Sequence, residues 1–259
     1  MAVTKGGEIS SDQENTARSM LIEHYQKSYG DHVMEQVDLL LALDGYIGRF
    51  NYLQSVLGEG MRLLPGILIS GYSAGSEMIV ARQFGFQEIY GVEVDSALLE
   101  ATKIRLAGLT GMFPALYDGL HLPYHDEQFD IVVSGHIIEH TQSPSVYLRE
   151  SMRVLKDGGI LYIEFPTRYH FVELHTGLFS FEWLPTFLRN FLLRLLSSRF
   201  SFLDPQKRSR YKSILTTGLK QVSRRGILRL LRKMNIHQRE IAHSRPAPGI
   251  IRCIIQKVS

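Results

Sequence analysis

The sequence predicts an α/β fold: a doubly wound, mostly parallel seven-stranded sheet with helices on both faces. The main observation is a regular alternation of short apolar runs with amphipathic segments between residues 65 and 166. Parallel strands buried on both faces appear as continuous apolar runs, and the helices that connect them cover those faces. A second observation is size, because 259 residues, 44% of them hydrophobic, can bury one substantial core. We therefore expect one large domain, extended by N-terminal helices and by an insertion.

The elements are predicted in a regular order along the chain. Strands are expected at 67–70, 89–93, 113–117, 129–134, 159–165, 236–242 and 249–257. Core helices are expected at 76–84, 96–108, 144–155 and 220–234. The resulting scheme is a disordered tail at 1–18, helices at 19–64, a core at 65–166, an inserted helical lid or substrate subdomain at 167–219, and a C-terminal helix and strands at 220–259. The insertion follows the fifth strand, so it should lie at the carboxyl edge of the sheet, where ligands bind.

Composition and charge limit the classes of function. No apolar run approaches the roughly 20 residues of a membrane span, and the N-terminus lacks the apolar core of a signal peptide. The single Cys253 cannot form an internal disulfide, so we expect a cytoplasmic protein with this residue in its core. Residues 189–245 hold fifteen Lys and Arg against two acids. This basic segment overlaps a predicted amphipathic helix at 187–199, which could touch the inner membrane surface peripherally.

A glycine turn after the first strand predicts a ligand site. The apolar run 67–69 leads into Gly71 and Gly75, which allow positive φ and a close approach of backbone N–H groups to a ligand. About twenty residues on, Glu93 ends the second apolar run, where a nucleotide-binding fold has the carboxylate that binds ribose. The middle of the turn is Ser73 rather than glycine. A pyrophosphate needs the backbone to approach closely there, so the serine argues against a dinucleotide.

The chain resembles the class I S-adenosylmethionine-dependent methyltransferases of the small-molecule, type 11-like branch, which have a Rossmann-like core. The residues that carry the resemblance are GYSAG at 71–75, Glu93, Asp118, LPYHDEQFDIVVSGHIIEH at 122–140 and LRESMRVLKDGGILYIEFP at 148–166. The resemblance implies S-adenosylmethionine as the cofactor. It also implies a small-molecule acceptor that is methylated on oxygen or nitrogen, with sugar or glycan-linked acceptors ahead of quinones and lipids.

The resemblance also assigns roles by position. Gly71 and Gly75 would shape the turn under the methionine part of the cofactor. Glu93 would accept hydrogen bonds from both ribose hydroxyls, and Asp118 would hold the adenine amino group. The full set of cofactor-binding residues implied in this way is Ser70, Gly71, Tyr72, Ser73, Gly75, Glu93, Val94, Asp118, Gly119, Leu120, Ser134 and Gly135. The chain departs from the family pattern at Ile69, where an acid is usual, and at Ser73, where glycine is usual.

Histidines and the start of the insertion supply the catalytic and acceptor candidates. Methyl transfer to a hydroxyl requires removal of a proton, and a positioned histidine is a suitable base. His136 and His175 are the catalytic candidates. The run PTRYHFVELHTGLFSFEWLP at 166–185 is similar to a stretch in bacterial methyltransferases associated with surface-glycan pathways. The residues expected to bind the acceptor are His140, Arg168, Glu173 and Trp183.

Several alternatives stay open on the sequence. His136-Ile-Ile-Glu139-His140 matches an inverted zinc-protease signature, but Pro144 leaves too short a helix, and we expect no metal. A Rossmann-like binding protein that has lost its cofactor would leave the 71–75 turn without a ligand. A membrane-surface protein would bind anionic vesicles, more weakly at high salt. No nucleic-acid-binding module accompanies the basic residues, so we expect no nucleic-acid partner.

Overall fold

The computed structural model describes residues 9–58, 60–61, 64, 66–166, 184, 186–198, 202, 222–247 and 249–258. The strands are β1 (Gly66–Ser70), β2 (Glu88–Glu93), β3 (Met112–Leu116), β4 (Phe129–Gly135), β5 (Leu155–Pro166), β6 (Gln238–Ser244) and β7 (Ile250–Lys257). They form a seven-stranded sheet in the order β3-β2-β1-β4-β5-β7-β6. Strands β1 to β5 pair in parallel, and β7 runs antiparallel to both of its neighbours. The predicted fold class is confirmed.

Helices cover both faces of this sheet. They are α1 (Ser11–Tyr29), α2 (Val33–Leu41), α3 (Asp44–Leu57), α4 (Ser76–Gln83), α5 (Ser96–Leu106), α6 (Pro144–Arg153), α7 (Thr186–Ser197) and α8 (Arg224–Lys233). Ile67 and Ile69 of β1 pack in one cluster with α3 and α4, whereas Leu68 packs in a second cluster with α6 and α8. Successive side chains of β1 point to opposite faces of the sheet, and each face is covered by one of these clusters. All five residues of β1 are therefore buried. This double burial is the physical origin of the apolar runs.

The N-terminus is helical earlier than expected. Helix α1 begins at Ser11, so the prediction of a disordered tail at 1–18 is wrong for residues 11–18. Ser10 and Gln13 form a capping box that satisfies the first N–H groups of the helix. The Gln13 side chain also donates to backbone carbonyls at the end of α5, and Arg105 of α5 forms an ion pair with Glu14 at 2.8 Å. Tertiary contacts therefore hold a segment whose polar composition indicated disorder.

The predicted insertion is described only in part. Helix α7 coincides with the amphipathic helix expected at 187–199. Its Leu193 is buried, whereas Phe187, Phe191 and Leu195 are 77%, 63% and 54% exposed. In the described part of the chain, no helix is long and apolar enough to cross a bilayer.

Candidate active site

The candidate site lies at the edge of the sheet where the parallel strands end. Ser70, the last residue of β1, is in register with Val92 of β2 and with Ser134 of β4. Gly135 at the end of β4 is in register with Glu164 of β5. The segments that follow these strands therefore meet at one crevice, the usual ligand site of an open α/β sheet. The structure brings the predicted cofactor residues together there.

The turn after β1 keeps a glycine-like backbone despite its serine. Gly71, Ser73 and Gly75 have φ of +74°, +57° and +82°. A Cβ on Gly71 would lie 2.0 Å from Cδ1 of Ile137, so no side chain fits at this position without a shift of Ile137. The Ser73 hydroxyl donates to the Leu40 carbonyl of α2 at 3.1 Å. Ser73 thus adopts a left-handed conformation that is typical of glycine, and its side chain forms a hydrogen bond to α2.

Glu93 presents a buried carboxylate at the end of β2. The residue is 9% exposed, and its Oε1 accepts the N–H of Val94 at 2.8 Å. Burial raises the pKa of Glu93, while backbone N–H groups that include that of Val94 favour the ionised form. The ring of Tyr72 packs against Gly91 of the same strand, where a Cβ would lie 2.4 Å from the ring. The remaining lone pairs of Glu93 can accept from a vicinal diol.

Asp118 lies after β3 and is bound to its own loop. Its carboxylate accepts the N–H groups of Leu120 and His121, each at 2.7 Å. These bonds, that of His121 first, lower the pKa of Asp118 to about 2. Val94 approaches the loop from β2, since its Cγ1 would lie 3.5 Å from a Cβ on Gly119. The ends of β2 and β3 are thereby in contact, and the adenine-binding role of Asp118 stays a prediction.

His136 lies between two carboxylates just after β4. Its Nε2 is 3.2 Å from Oε1 of Glu164, and its Nδ1 is 3.5 Å from Oε1 of Glu139. Burial opposes the charged form of His136, but the Glu139 and Glu164 carboxylates outweigh it and raise the pKa to about 9. The imidazole is therefore protonated at neutral pH. A histidine in this state does not accept a proton, and the role of His136 as a general base stays a prediction.

The sequence did not identify Arg49, which α3 carries into this crevice. Its Nη1 donates to both carboxylate oxygens of Glu77 at 3.0 Å, and its Nε donates to Glu164 at 3.1 Å. The guanidinium fills the space beside Gly135, where a Cβ would lie 2.2 Å from Cζ. Glu164 also accepts from Arg252 and Tyr162. Glu164 lies within the apolar run ILYIEFP of β5. Because a buried carboxylate needs a partner, this acid was a signal in the sequence that a basic side chain enters the core.

Three buried polar atoms at this edge have no hydrogen-bond partner. Among the described residues these are Oγ of Ser70 and both carboxylate oxygens of Glu139. Ser70 ends β1, and Glu139 lies four residues after the end of the adjacent strand β4. Buried polar groups are nearly always bonded, and exceptions call for an explanation such as a missing ligand. The cluster therefore fits a crevice built to receive a polar molecule.

The other predicted acceptor residues are placed only in part. His140 is exposed, with Nε2 4.0 Å from Oε1 of Glu139, in a turn rather than a helix. Residues outside the described ranges are His175, Arg168, Glu173 and Trp183. Within those ranges no group of three ligating side chains could hold a metal ion.

A separate surface cavity of about 790 Å³ lies at another edge of the molecule. It is lined by residues that include Gly158, Arg232, His237 and Gln256. These positions surround the start of the apolar part of β5 rather than the carboxyl edge. The cavity is thus separate from the buried carboxylates and the glycine turn. Because those groups lie in the crevice, the crevice is the better candidate for the active site.

Comparison with known proteins agrees with the geometry of this crevice. Residues 68–163 match the family model described as methyltransferase domain. A 2-methyl-6-phytyl-1,4-hydroquinone methyltransferase of Synechocystis sp. is 27% identical over 55% of this chain and 46% of its own. A ubiquinone/menaquinone biosynthesis C-methyltransferase of Ralstonia pickettii is 27% identical over 52% of this chain and 56% of its own. The chain thus spans about half the length of these curated relatives.

The fold itself is found among solved structures. An S-adenosylmethionine-dependent methyltransferase from Mesorhizobium loti has a TM-score of 0.57 at 16% identity, with 83% of this chain and 100% of that chain covered. At this identity the likeness shows the fold alone. Together with the family match, it confirms the predicted class I methyltransferase architecture.

Proposed function

We propose that this chain, whose residues 68–163 belong to the methyltransferase-domain family, transfers a methyl group from S-adenosylmethionine to a small-molecule acceptor. The observation that carries the proposal is the crevice at the carboxyl edge. A left-handed turn, a buried carboxylate and unpaired polar atoms meet there. When bound, S-adenosylmethionine supplies an electrophilic methyl group on a sulfonium, and the enzyme must align a nucleophile with it.

The residues of the crevice fit this cofactor. The turn at 71–75 leads into the start of α4, where the glycine N-cap Gly75 offers no side-chain acceptor to the first N–H groups, and a helix start of this kind suits a polar ligand. Glu93 has free lone pairs for a ribose diol. Because the Ser73 side chain is bonded to α2, it does not fill the ligand side of the turn. S-adenosylmethionine has no pyrophosphate, so a serine backbone at this position is tolerated.

The acceptor class is the finer part of the proposal. The name of one curated relative refers to a hydroquinone that it methylates, and that of the other refers to C-methylation in ubiquinone and menaquinone biosynthesis. The sequence placed sugar-linked acceptors ahead of quinones and lipids. We therefore raise hydroquinones to the same rank as the sugar-linked and lipid-linked acceptors. All three classes can carry hydroxyl groups, and the Glu139 carboxylate, whose oxygens accept no hydrogen bond from the described residues, lies where such a group could donate.

A peripheral membrane position is a further part of the proposal. The large apolar side chains of α7 are exposed at positions 187, 191 and 195, which share one face of a helix. Arg194 is exposed on the same helix, and the segment 189–245 is strongly basic. An apolar face beside basic residues is the pattern of a helix that lies on an anionic bilayer.

The cofactor site is tested by calorimetric titration with S-adenosylmethionine and S-adenosylhomocysteine. We expect Glu93→Gln to weaken binding about 10- to 150-fold, because a hydrogen bond to a charged group contributes about 1.5–3 kcal/mol. The matched control is Glu88→Gln, at the exposed start of the same strand, which should bind as the wild type does. Folded wild-type protein that binds neither ligand would instead support the cofactor-free binding protein.

A further inference from the structure

The two carboxylates that flank His136 are in different states. Glu164 accepts hydrogen bonds from Arg49, Arg252 and Tyr162 and also pairs with His136, so its lone pairs are occupied. Glu139 is 2% exposed, and neither of its oxygens accepts a hydrogen bond from the described part of the chain. Burial of a carboxylate without donors is costly, and a ligand that supplies a donor recovers that cost. Of the two carboxylates, Glu139 is therefore the one that can still accept a hydrogen bond from a ligand.

The described groups that face Glu139 lie farther from it than a charge-assisted hydrogen bond requires. Nδ1 of His136 is 3.5 Å away, and Nε2 of His140 is 4.0 Å away. Both distances exceed the roughly 2.7–2.9 Å of a charge-assisted hydrogen bond. Tyr147 of α6 also lies near, but its hydroxyl donates to Oγ of Ser134 at 2.7 Å. The two histidine side chains are partly exposed, at 29% and 48%, so small movements of these rings would admit a ligand.

We propose that Glu139 is the acceptor-binding carboxylate of this site, which takes a hydrogen bond from an O–H or N–H of the acceptor and receives that proton during methyl transfer. This inference rests on the proposed function. The acceptor oxygen or nitrogen forms a bond to the methyl carbon, and the carbon–sulfur bond breaks with its electron pair on sulfur. The proton released by the acceptor goes to Glu139. His136 is a positioning residue, whose Nδ1 lies 3.5 Å from Oε1 of Glu139.

This assignment also limits the chemical class of the acceptor. A carboxylate binds neutral hydroxyl or amine donors and repels acceptors that place a carboxylate or phosphate at the same point. A ring that carries a hydroxyl group meets this requirement, and its methyl ether does not. Two probes with the same ring, one with hydroxyl groups and one with methyl ethers, can therefore test the site, and a Glu139 variant separates loss of the donor from the added bulk.

The experiment compares hydroquinone with 1,4-dimethoxybenzene in the presence of S-adenosylhomocysteine, with affinity read from the NMR signal of the His136 ring. We expect hydroquinone to bind at least about tenfold more tightly, since unpaired polar groups discriminate strongly. Glu139→Gln should reduce this preference to about twofold or less, whereas Glu100→Gln, an exposed control on α5, should preserve it. Failure of hydroquinone to bind, or equal binding of the two probes by the wild type, overturns the inference.

Two further measurements distinguish a failure of the role assigned to Glu139 from a failure of the proposed function. Glu139→Gln should lower the pKa of His136, because one of its two carboxylate neighbours is lost. The affinity for S-adenosylhomocysteine should stay within about twofold, since Glu139 is assigned to the acceptor. A wild type that does not bind S-adenosylhomocysteine refutes the proposed function, whereas normal binding without discrimination between the probes refutes only the role of Glu139. An unchanged pKa of His136 refutes its pairing with Glu139.

Discussion

Replacement of Arg49 by methionine tests whether α3 is held to the sheet by buried charge. The side chains of Arg49 and Glu77 are 8% and 0% exposed, and among the described residues the side-chain hydrogen bonds that Glu77 accepts come from this guanidinium. Methionine has a similar length and no charge, so the substitution removes donors with little loss of packing. It leaves Glu77 as a buried carboxylate without a partner, while Glu164 keeps Arg252 and Tyr162.

The expected cost follows from this loss of a partner. Breaking a buried ion pair from one side costs about 3–5 kcal/mol of unfolding free energy. In a chain of this size each kcal/mol lowers Tm by about 2–4 °C, so Arg49→Met should lower Tm by about 6–20 °C. Burial already raises the pKa of Glu77, and Arg49 opposes this. Without Arg49 that pKa rises further, so the deficit should shrink as the pH falls and Glu77 is protonated.

The assay is chemical denaturation at several pH values, combined with a double-mutant cycle. Arg49→Met with Glu77→Met should cost less than the sum of the two single variants, with a coupling of about 2 kcal/mol. The control is Arg18→Met, which breaks an exposed ion pair with Asp38 and should cost less than about 1 kcal/mol. A loss below about 1 kcal/mol for Arg49→Met, or strict additivity in the cycle, would refute the reasoning.

Two other predictions concern the histidine and the exposed helix. The pKa of His136 is raised from 6.5 to about 9, so its stabilising contribution is complete below pH 6.5 and is lost as the pH rises toward 9. His136→Gln should flatten the decline of unfolding free energy over this window, by up to roughly 3 kcal/mol; an equal slope in both proteins contradicts the pairing. Phe191→Ser should weaken cosedimentation with phosphatidylglycerol vesicles by about tenfold, because burial of a phenylalanine contributes about 1.5–3 kcal/mol. Leu39→Ser, at a 61% exposed position of α2, is the control, and equal binding to neutral vesicles would contradict a role for charge.

The sheet could be predicted from the sequence because its signal is local. The central strands β1 and β4 are buried on both faces, so their runs of apolar residues are continuous, and glycines or polar residues mark their ends. The predicted strand at 129–134 and the observed Phe129–Gly135 differ by one residue. The order of the strands follows from short right-handed crossovers, and the two C-terminal strands complete the edge.

Side-chain partners distant in sequence could not be predicted in the same way. Arg49 pairs with residues 28 and 115 positions away, and no local pattern shows which of the basic residues enters the core. Polar residues of α1 indicated a tail, because their bonds to α5 form only in the folded chain. The protonated state of His136 likewise depends on carboxylates from two different segments.

Ser73 links the turn of the crevice to the N-terminal helices α2 and α3. A left-handed conformation costs a residue other than glycine roughly 1–2 kcal/mol, and the bond from its hydroxyl to Leu40 returns about 1 kcal/mol. Ser76 donates to the same carbonyl at 2.9 Å, so the turn that shapes the ligand site also fixes the end of α2. Helix α3 then carries Arg49 onto Gly135. The family match at 68–163 lies outside these N-terminal helices. Part of the crevice wall therefore comes from α2 and α3, which lie outside the region that matches the family model.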